Sequence, residues 1–352
     1  MKISSNRGEY SLTFCDNALD KVRDTAENSP CHFFVDDRLY LFYSESLEKL
    51  ESLGTVYRVE AREETKEFTA LSKWIDLLIK GGFRRNHTIV TIGGGVLQDM
   101  CGFIAATIFR GANWVFVPTT LLAQADSCIG SKVSINFKDL KNMVGLYYPP
   151  HEIYVDVSIT SSLPFEEFCS GAGEIIKFSL MSKESRTDSV SKDLSNVPLS
   201  YEYLESLVRE SLSIKKSYFE DDEFDRGRRN MCNYGHCFGH ALESQTGFDI
   251  PHGQAVLVGI LVADNISYSR GLIEVGDRDY HRAVISPFLP KRRFYVDQVK
   301  DIVRFMFSDK KRTTDDLTMI LCTGDGELEM FHDLREEEIE CAWKFLIDAE
   351  VI

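Results

Sequence analysis

The chain reads as an α/β protein in which a mostly parallel, Rossmann-like sheet fills the N-terminal half and helices take up the rest. Three observations predict this. Short β-rich runs alternate with helical stretches up to about residue 160, three successive glycines follow an apolar strand and open a helix, and from Pro164 onward apolar residues recur at helical spacing. A length of 352 residues is too much for one ordinary core and suggests two domains, drawn here as residues 1–160 and 161–352.

In order along the chain, His32-Phe33-Phe34-Val35, Thr55-Val56-Tyr57-Arg58-Val59, Thr88-Ile89-Val90-Thr91-Ile92 and Trp114-Val115-Phe116-Val117 read as strands. A helical pattern from Thr65 to Ile79 separates the second from the third, as expected of a parallel sheet with crossover helices. Beyond Pro164, Phe165 to Met181, Tyr201 to Tyr218, Arg229 to Thr246, Ala255 to Ser269 and Glu336 to Asp348 carry one apolar face each. Ser185 to Pro198 and Glu220 to Arg228 read as polar connections.

Composition narrows the function classes. Hydrophobic residues make up 43% and charged residues 27%, and no apolar run approaches the roughly 20 residues of a membrane helix, so no membrane partner is expected. A net charge of -15 argues against nucleic acid. The N-terminal Met1-Lys2-Ile3-Ser4-Ser5-Asn6-Arg7 lacks the apolar core of a secretory signal, and nine cysteines without a CxxC pair read as thiols of a cytoplasmic protein. An anionic substrate therefore has to be met by a local cluster of Lys and Arg.

The glycine run is Ile92-Gly93-Gly94-Gly95-Val96-Leu97-Gln98-Asp99. Glycine permits close approach of a ligand to the backbone, and the following helix N-terminus offers amides and a positive dipole to phosphate. The spacing is not GxGxxG, so the ordinary dinucleotide fingerprint is absent, and a tight turn without ligand is the plain alternative. Asp99 either complements the helix dipole or contacts a cofactor.

Lys132 sits among small residues in Asp126-Ser127-Cys128-Ile129-Gly130-Ser131-Lys132, a setting that suits an anion ligand better than a solvated surface lysine. Glu174 and Lys177, in Ser170-Gly171-Ala172-Gly173-Glu174-Ile175-Ile176-Lys177, lie one helical turn apart. On a surface they would form a weak ion pair; flanked by Ile175, Ile176 and Phe178 they are expected to be shielded, and a buried Glu174 then needs a partner such as a metal. His236 and His240, four residues apart on one helical face, together with His252, supply imidazoles for such a metal. Spacing alone favours the pair His236 and His240. A polar surface or hydrogen-bonded histidine pair is the alternative.

Taken together, GGGVLQDMCGF, RGANWVFVPTTLLAQADSCIGSKVSIN, KNMVGLYYPP, SGAGEIIKF, RRNMCNYGHCFGHALE and PHGQAV resemble the sugar phosphate cyclase superfamily, and within it the 3-dehydroquinate synthases. The match runs in order from about residue 60 to residue 312. It implies an N-terminal NAD-binding α/β domain, a C-terminal all-helical metal-binding domain, and an active site in the cleft between them. By resemblance the zinc (or cobalt) ligands fall on Glu174, His236 and His252, which moves His240 from metal to substrate phosphate. NAD contacts fall on Asp36, Glu63, Lys66, Gly94, Gly95, Asp99, Thr119, Thr120, Asp126, Lys141 and Ser162. Phosphate ligands fall on Lys132, Asn142, Lys177, Asn233, His240 and one or both of Lys310 and Lys311. Arg110 resembles an arginine that reaches the phosphate of a neighbouring subunit, which implies a homodimer.

The implied reaction uses NAD to oxidise a ring hydroxyl transiently, after which phosphate leaves, the ketone is reduced again, and an aldol closure yields a carbocycle. Within the superfamily, the substrate carboxylate discriminates. Lys215 and Arg229 stand where the resemblance puts its ligands, which favours 3-deoxy-D-arabino-heptulosonate 7-phosphate. A cyclase for an amino analogue or for carboxylate-free sedoheptulose 7-phosphate stays open, as do a metal-dependent polyol or glycerol-phosphate dehydrogenase and a catalytically silent scaffold. Five positions depart from the family pattern: Ser131 and Val133, in Gly130-Ser131-Lys132-Val133 for Gly-Gly-Lys-Thr, Arg62 for a glycine, Pro149 for a glutamine, and Gln254 for a glutamate.

Overall fold

The computed structural model describes residues 1–138, 140–182, 187–195, 199–308, 317–324 and 326–352. It divides into two compact units, Met1–Leu163 and Pro164–Ile352.

The first unit runs β1 (Lys2–Ser5), β2 (Gly8–Phe14), α1 (Ala18–Asn28), β3 (Cys31–Asp36), α2 (Tyr40–Glu48), β4 (Gly54–Val59), α3 (Phe68–Lys80), β5 (Thr88–Gly93), α4 (Gly95–Thr107), β6 (Asn113–Pro118), β7 (Lys132–Phe137), β8 (Leu140–Tyr147) and β9 (Glu152–Val155). Seven strands form one sheet in the order β1-β2-β9-β6-β5-β3-β4, parallel throughout except for the β1-β2 pair. Every residue of β3 and β5 is buried, which is why these strands read as continuous apolar runs rather than alternating ones. Strand order reverses between β3 and β5, and the β3-β5-β6 register sets Asp36, Gly93 and Pro118 side by side at the carboxyl edge. An open parallel sheet binds ligands at such an edge.

The four strands read from sequence are present, within a residue or two at their ends. The expected Thr65 to Ile79 helix is instead a 3-10 turn, Glu63–Lys66, an extended Glu67, and then α3. The β1-β2 and β7-β8 hairpins and β9 had no expectation. β1 and β9 are only four residues long and the partners of β9 are distant in sequence, so periodicity carries little signal.

The second unit runs α5 (Phe165–Leu180), α6 (Thr187–Ser195), α7 (Tyr201–Phe219), α8 (His236–Gln245), α9 (His252–Ser269), α10 (Val275–Ile285), α11 (Gln298–Ser308), β10 (Leu317–Gly324), β11 (Glu327–Leu334) and α12 (Glu336–Asp348). α9 is buried from Gly253 to Ser267, on all faces, and forms the centre of the unit. The unit is helical as expected, but not all-helical: β10 and β11 form an antiparallel hairpin with Gly324 and Gly326 at positive φ around its turn. Two connections also differ. The stretch read as a polar linker contains α6, whose Val190 and Leu194 are buried one turn apart. The helix expected from Arg229 to Thr246 is broken into a 3-10 turn, Arg228–Asn233, and α8, because Gly235 adopts φ 77 between them.

Candidate active site

In the first unit, the third glycine of the run opens α4. Gly94 is its N-cap, and a Cβ on Gly95 would meet nothing within 4 Å, so the space before the helix N-terminus is open to a ligand. Thr119 and Thr120 line the next strand end: the Thr119 amide donates to the Gly93 carbonyl at 3.0 Å, and Thr120 packs against Gly94. A dinucleotide fits this cradle, with open backbone before a dipolar helix end. Asp36 ends β3 at the same edge and accepts a salt bridge from Arg38 at 2.8 Å. Asp126 lies in the helical turn Ala123–Ser127, and the Ser162 hydroxyl donates to the Ile159 carbonyl.

A polar cluster is built around Lys66, which is 5% exposed. Its ammonium donates to Asp99 Oδ2 and Asn142 Oδ1, both at 2.8 Å, and lies 3.3 Å from Glu63 Oε1. Burial pulls the lysine's pKa down, yet the Asp99 and Glu63 carboxylates outweigh it and the net direction is upward, so Lys66 stays charged. Lys141 Nζ stands 3.9 Å from Glu63, and Asn136 joins Glu63 to the Asn142 backbone. Asn142, expected on substrate phosphate, is thus held among the residues expected on NAD, at φ 52. Asn136 stands between Lys132 and Lys141 in the same polar stretch of the sequence, but no role was expected of it.

In the second unit, backbone contacts without intervening side chains bring two segments onto α9. A Cβ on Gly253 would lie 1.8 Å from the Ser170 carbonyl oxygen, and one on Gly259 would lie 1.9 Å from that of Gly235. These approaches seat Glu174, next to Gly173 on α5, and His236, next to Gly235, against His252 at the α9 N-terminus. Glu174 is 0% exposed. Its Oε1 faces His236 Nε2 at 3.8 Å and His252 Nε2 at 3.7 Å and makes no hydrogen bond, while Oε2 is 2.5 Å from Lys177 Nζ.

Adjacent ligands on a tetrahedral ion with bonds of ~2.0–2.1 Å lie about 3.3 Å apart, close to these separations. The other histidine nitrogens are held. His236 Nδ1 lies 3.2 Å from the Tyr234 carbonyl and His252 Nδ1 3.0 Å from Glu243 Oε2, which leaves both Nε2 atoms turned toward Glu174. Burial first, then the positive Lys177 and the neighbouring imidazoles, hold His236 well below the usual imidazole range. It is therefore neutral, as a metal ligand must be. For His252 burial also pulls downward, but Glu243 and Glu174 outweigh it and raise the value. A wholly buried carboxylate oxygen without a hydrogen bond, facing two oriented imidazoles, fits a divalent cation. His240 brings a third imidazole: ligand atoms of His236, His240 and His252 all lie within 4.8 Å of one another, with His240 the exposed member.

Glu243 was missed by sequence reading. Its signal was its place three residues after His240, in His240-Ala241-Leu242-Glu243, on the turn that faces His252. Lys215 on α7 and Arg229 in the following 3-10 turn are 7% and 4% exposed, and Arg229 packs over the Phe219 ring of α7. Asn233 and Lys132 are exposed, and Arg110 is exposed at φ 64 between Phe109 and Gly111, which also have positive φ. Lys310 and Lys311 lie outside the described residues.

Residues 56–170 match the 3-dehydroquinate synthase N-terminal family model and residues 171–312 the C-terminal one. A 3-dehydroquinate synthase of Desulforamulus reducens is 33% identical over 350 residues, covering 96% of this chain and 98% of that protein. The chain belongs to the 3-dehydroquinate synthase family. Another member, from Streptococcus pyogenes, is 32% identical over 93% of both chains. Among solved structures, 2-deoxy-scyllo-inosose synthase complexed with carbaglucose-6-phosphate, NAD+ and Co2+ superposes with a TM-score of 0.86 at 26% identity, over 99% of this chain and 98% of that one. The family reading from sequence is borne out, and the dehydrogenase and scaffold alternatives are not favoured.

The departures from the family pattern have structural occupations. Val133 packs against Gly102 and is 2% exposed, the Pro149 carbonyl accepts from Trp114 Nε1 at 2.9 Å, and Gln254 Nε2 donates to the Phe288 carbonyl at 2.8 Å. Arg62 pairs with Glu60 on the surface. None of the five departures replaces a member of the Glu174, His236 and His252 set.

Proposed function

We propose that this chain is a 3-dehydroquinate synthase: it converts 3-deoxy-D-arabino-heptulosonate 7-phosphate to 3-dehydroquinate and phosphate by NAD-mediated transient oxidation, elimination, re-reduction and intramolecular aldol closure. The observation that carries this, beside family membership, is Glu174, a fully buried carboxylate facing two oriented imidazoles. Glu174, His236 and His252 would hold the cation and the Gly94-Gly95 turn would hold the dinucleotide, groups that a relative of known structure binds as Co2+ and NAD+. The cation supplies Lewis-acid polarisation of substrate hydroxyls, and NAD supplies reversible hydride transfer without net redox change.

The chain's own residues then divide the work. Lys132, Lys177, Asn233 and His240, with Lys310 or Lys311, receive the phosphate, and their positive charge stabilises it as it leaves. Burial first, and then Lys177 beside Glu174, hold the pKa of His236 well below the usual imidazole range. Lys66 fixes Asp99, Glu63 and Asn142 as one rigid polar wall for the dinucleotide, with Asp36, Thr119, Thr120, Asp126, Lys141 and Ser162 as further contacts. Lys215 and Arg229, both buried basic side chains, hold the substrate carboxylate, which favours the heptulosonate over sedoheptulose 7-phosphate.

The enzyme works as a cytoplasmic homodimer, with exposed Arg110 offered to the neighbouring subunit; no helix of the described residues is long and apolar enough to cross a membrane. Its product belongs to the shikimate route to aromatic amino acids.

The test is phosphate release from the heptulosonate by purified protein, with the product identified by mass. Release that needs NAD and a divalent metal without accumulating NADH is expected. Net NADH formation, or preference for sedoheptulose 7-phosphate, overturns the proposal.

A further inference from the structure

Among the described residues of the second unit, a buried polar constellation built on Asp264 is used by no step of the reaction. Asp264, in the middle of α9, is 0% exposed. Its Oδ1 accepts a hydrogen bond from the hydroxyl of Tyr234, itself 1% exposed, and its Oδ2 lies 2.9 Å from Nδ1 of His281 on α10, 7% exposed. Burying a carboxylate, a phenol and an imidazole together is costly unless their geometry is specific. Tyr234 is also the residue whose backbone carbonyl accepts from His236 Nδ1 at 3.2 Å.

The Tyr234-Gly235 segment is therefore gripped twice by one helix. The Gly235 carbonyl touches α9 at Gly259, and the Tyr234 side chain is tied to the same helix at Asp264. Helix α9 also begins with His252. A single rod thus sets the position of one imidazole directly and the orientation of the other through the carbonyl of Tyr234.

We propose that Tyr234, Asp264 and His281 are positioning residues for the divalent-cation site: they lock the carbonyl that fixes the tautomer and ring orientation of His236, and so tune cation affinity without touching the cation. This rests on the reading of Glu174, His236 and His252 as the ligands. Partners one step behind a metal-binding histidine are worth about 10- to 100-fold in metal affinity, and these stand one step further back, so a change of about tenfold is expected.

The experiment strips the purified full chain with chelator and titrates it with Co2+, following the visible absorption bands and thermal unfolding in parallel. The variants are Tyr234→Phe, which keeps the ring but loses the hydroxyl, and Asp264→Asn, which keeps the shape but loses the charge. Tyr203→Phe is the control; it removes another tyrosine-aspartate hydrogen bond, Tyr203 to Asp193 at 2.6 Å. Both test variants should bind Co2+ about tenfold more weakly with altered bands, while Tyr203→Phe binds as the parent does. If either folded test variant loses thermal stability but keeps the parental affinity and bands, or if the control weakens binding equally, the positioning role is wrong while the cation site stands. If the parent chain itself binds no Co2+, the ligand assignment fails and this inference falls with it. Should Tyr234→Phe not fold, Asp264→Asn decides alone.

Discussion

Gly253→Ala tests how the fold makes the site. An added Cβ would lie 1.8 Å from the Ser170 carbonyl oxygen and 2.7 Å from its carbon, and Cβ contacts below 3.0 Å essentially do not occur. Both obstacles are backbone, so no side chain can swing aside, and α9 has to retreat from α5 by more than an ångström. The retreat also strains the Gly253 amide bond to Ser170 Oγ, now 3.0 Å. Overpacking of this kind costs about 1–3 kcal/mol. The functional loss should be larger in proportion. His252 precedes Gly253 and Glu174 follows Gly173, so the same retreat widens the 3.7 Å gap between His252 Nε2 and Glu174 Oε1. A displacement near 1 Å in a site costs about 10²-fold in rate. Thermal unfolding, Co2+ titration and phosphate release should show a folded, moderately destabilised protein with weakened cation binding and activity down by about two orders of magnitude. Parental cation affinity and rate in Gly253→Ala would refute the claim that this helix contact sets the ligand geometry.

Three further outcomes are expected. Glu174→Gln should abolish retention of divalent metal through gel filtration, measured by elemental analysis, and lower phosphate release by more than about 100-fold, because a neutral amide cannot replace the charged ligand. Arg229→Ala should lower kcat/KM for the heptulosonate by about 10- to 100-fold, the worth of a charge-assisted hydrogen bond, while metal content stays at the parental level. Glu338, bridged by Arg270 Nε and Nη2 at 2.8 Å each, has its carboxyl held down to about 2, the Arg270 hydrogen bond being the largest cause. A depressed carboxylate stabilises the fold above its unfolded value near 4.5 and loses that contribution as pH falls toward 2. Denaturant unfolding should accordingly find Glu338→Gln about 1–2 kcal/mol less stable at pH 7, after allowance for solvent screening, with the difference shrinking below pH 4.

Legibility differed from element to element for physical reasons. β3 and β5 are continuous apolar runs because both faces of the sheet are covered, and α12 keeps one apolar stripe from Glu336 to Asp348, so each was plain in the chain. α6 was hidden because only Val190 and Leu194 mark its buried face in a polar stretch, and tertiary packing overrides the local pattern. The break at Gly235 was invisible too: the apolar spacing continues through it, and the close packing of its backbone on Val256, Gly259 and Ile260 of α9, with φ 77, exists only in the tertiary structure.

By itself the sequence determined the α/β class, the glycine turn at a strand end, the family, and the candidate ligands Glu174, His236, His240 and His252, because these depend on residue types and local period. Which imidazole nitrogens turn toward Glu174 was decided only in three dimensions. That choice rests on Glu243 and the Tyr234 carbonyl holding Nδ1 of the two histidines, and on backbone contacts at Gly253 and Gly259 that no spacing rule contains. Burial did the rest: a carboxylate at Glu174 is an ordinary side chain in the sequence and becomes the proposed cation ligand only once packing removes water and leaves Oε1 without a hydrogen bond.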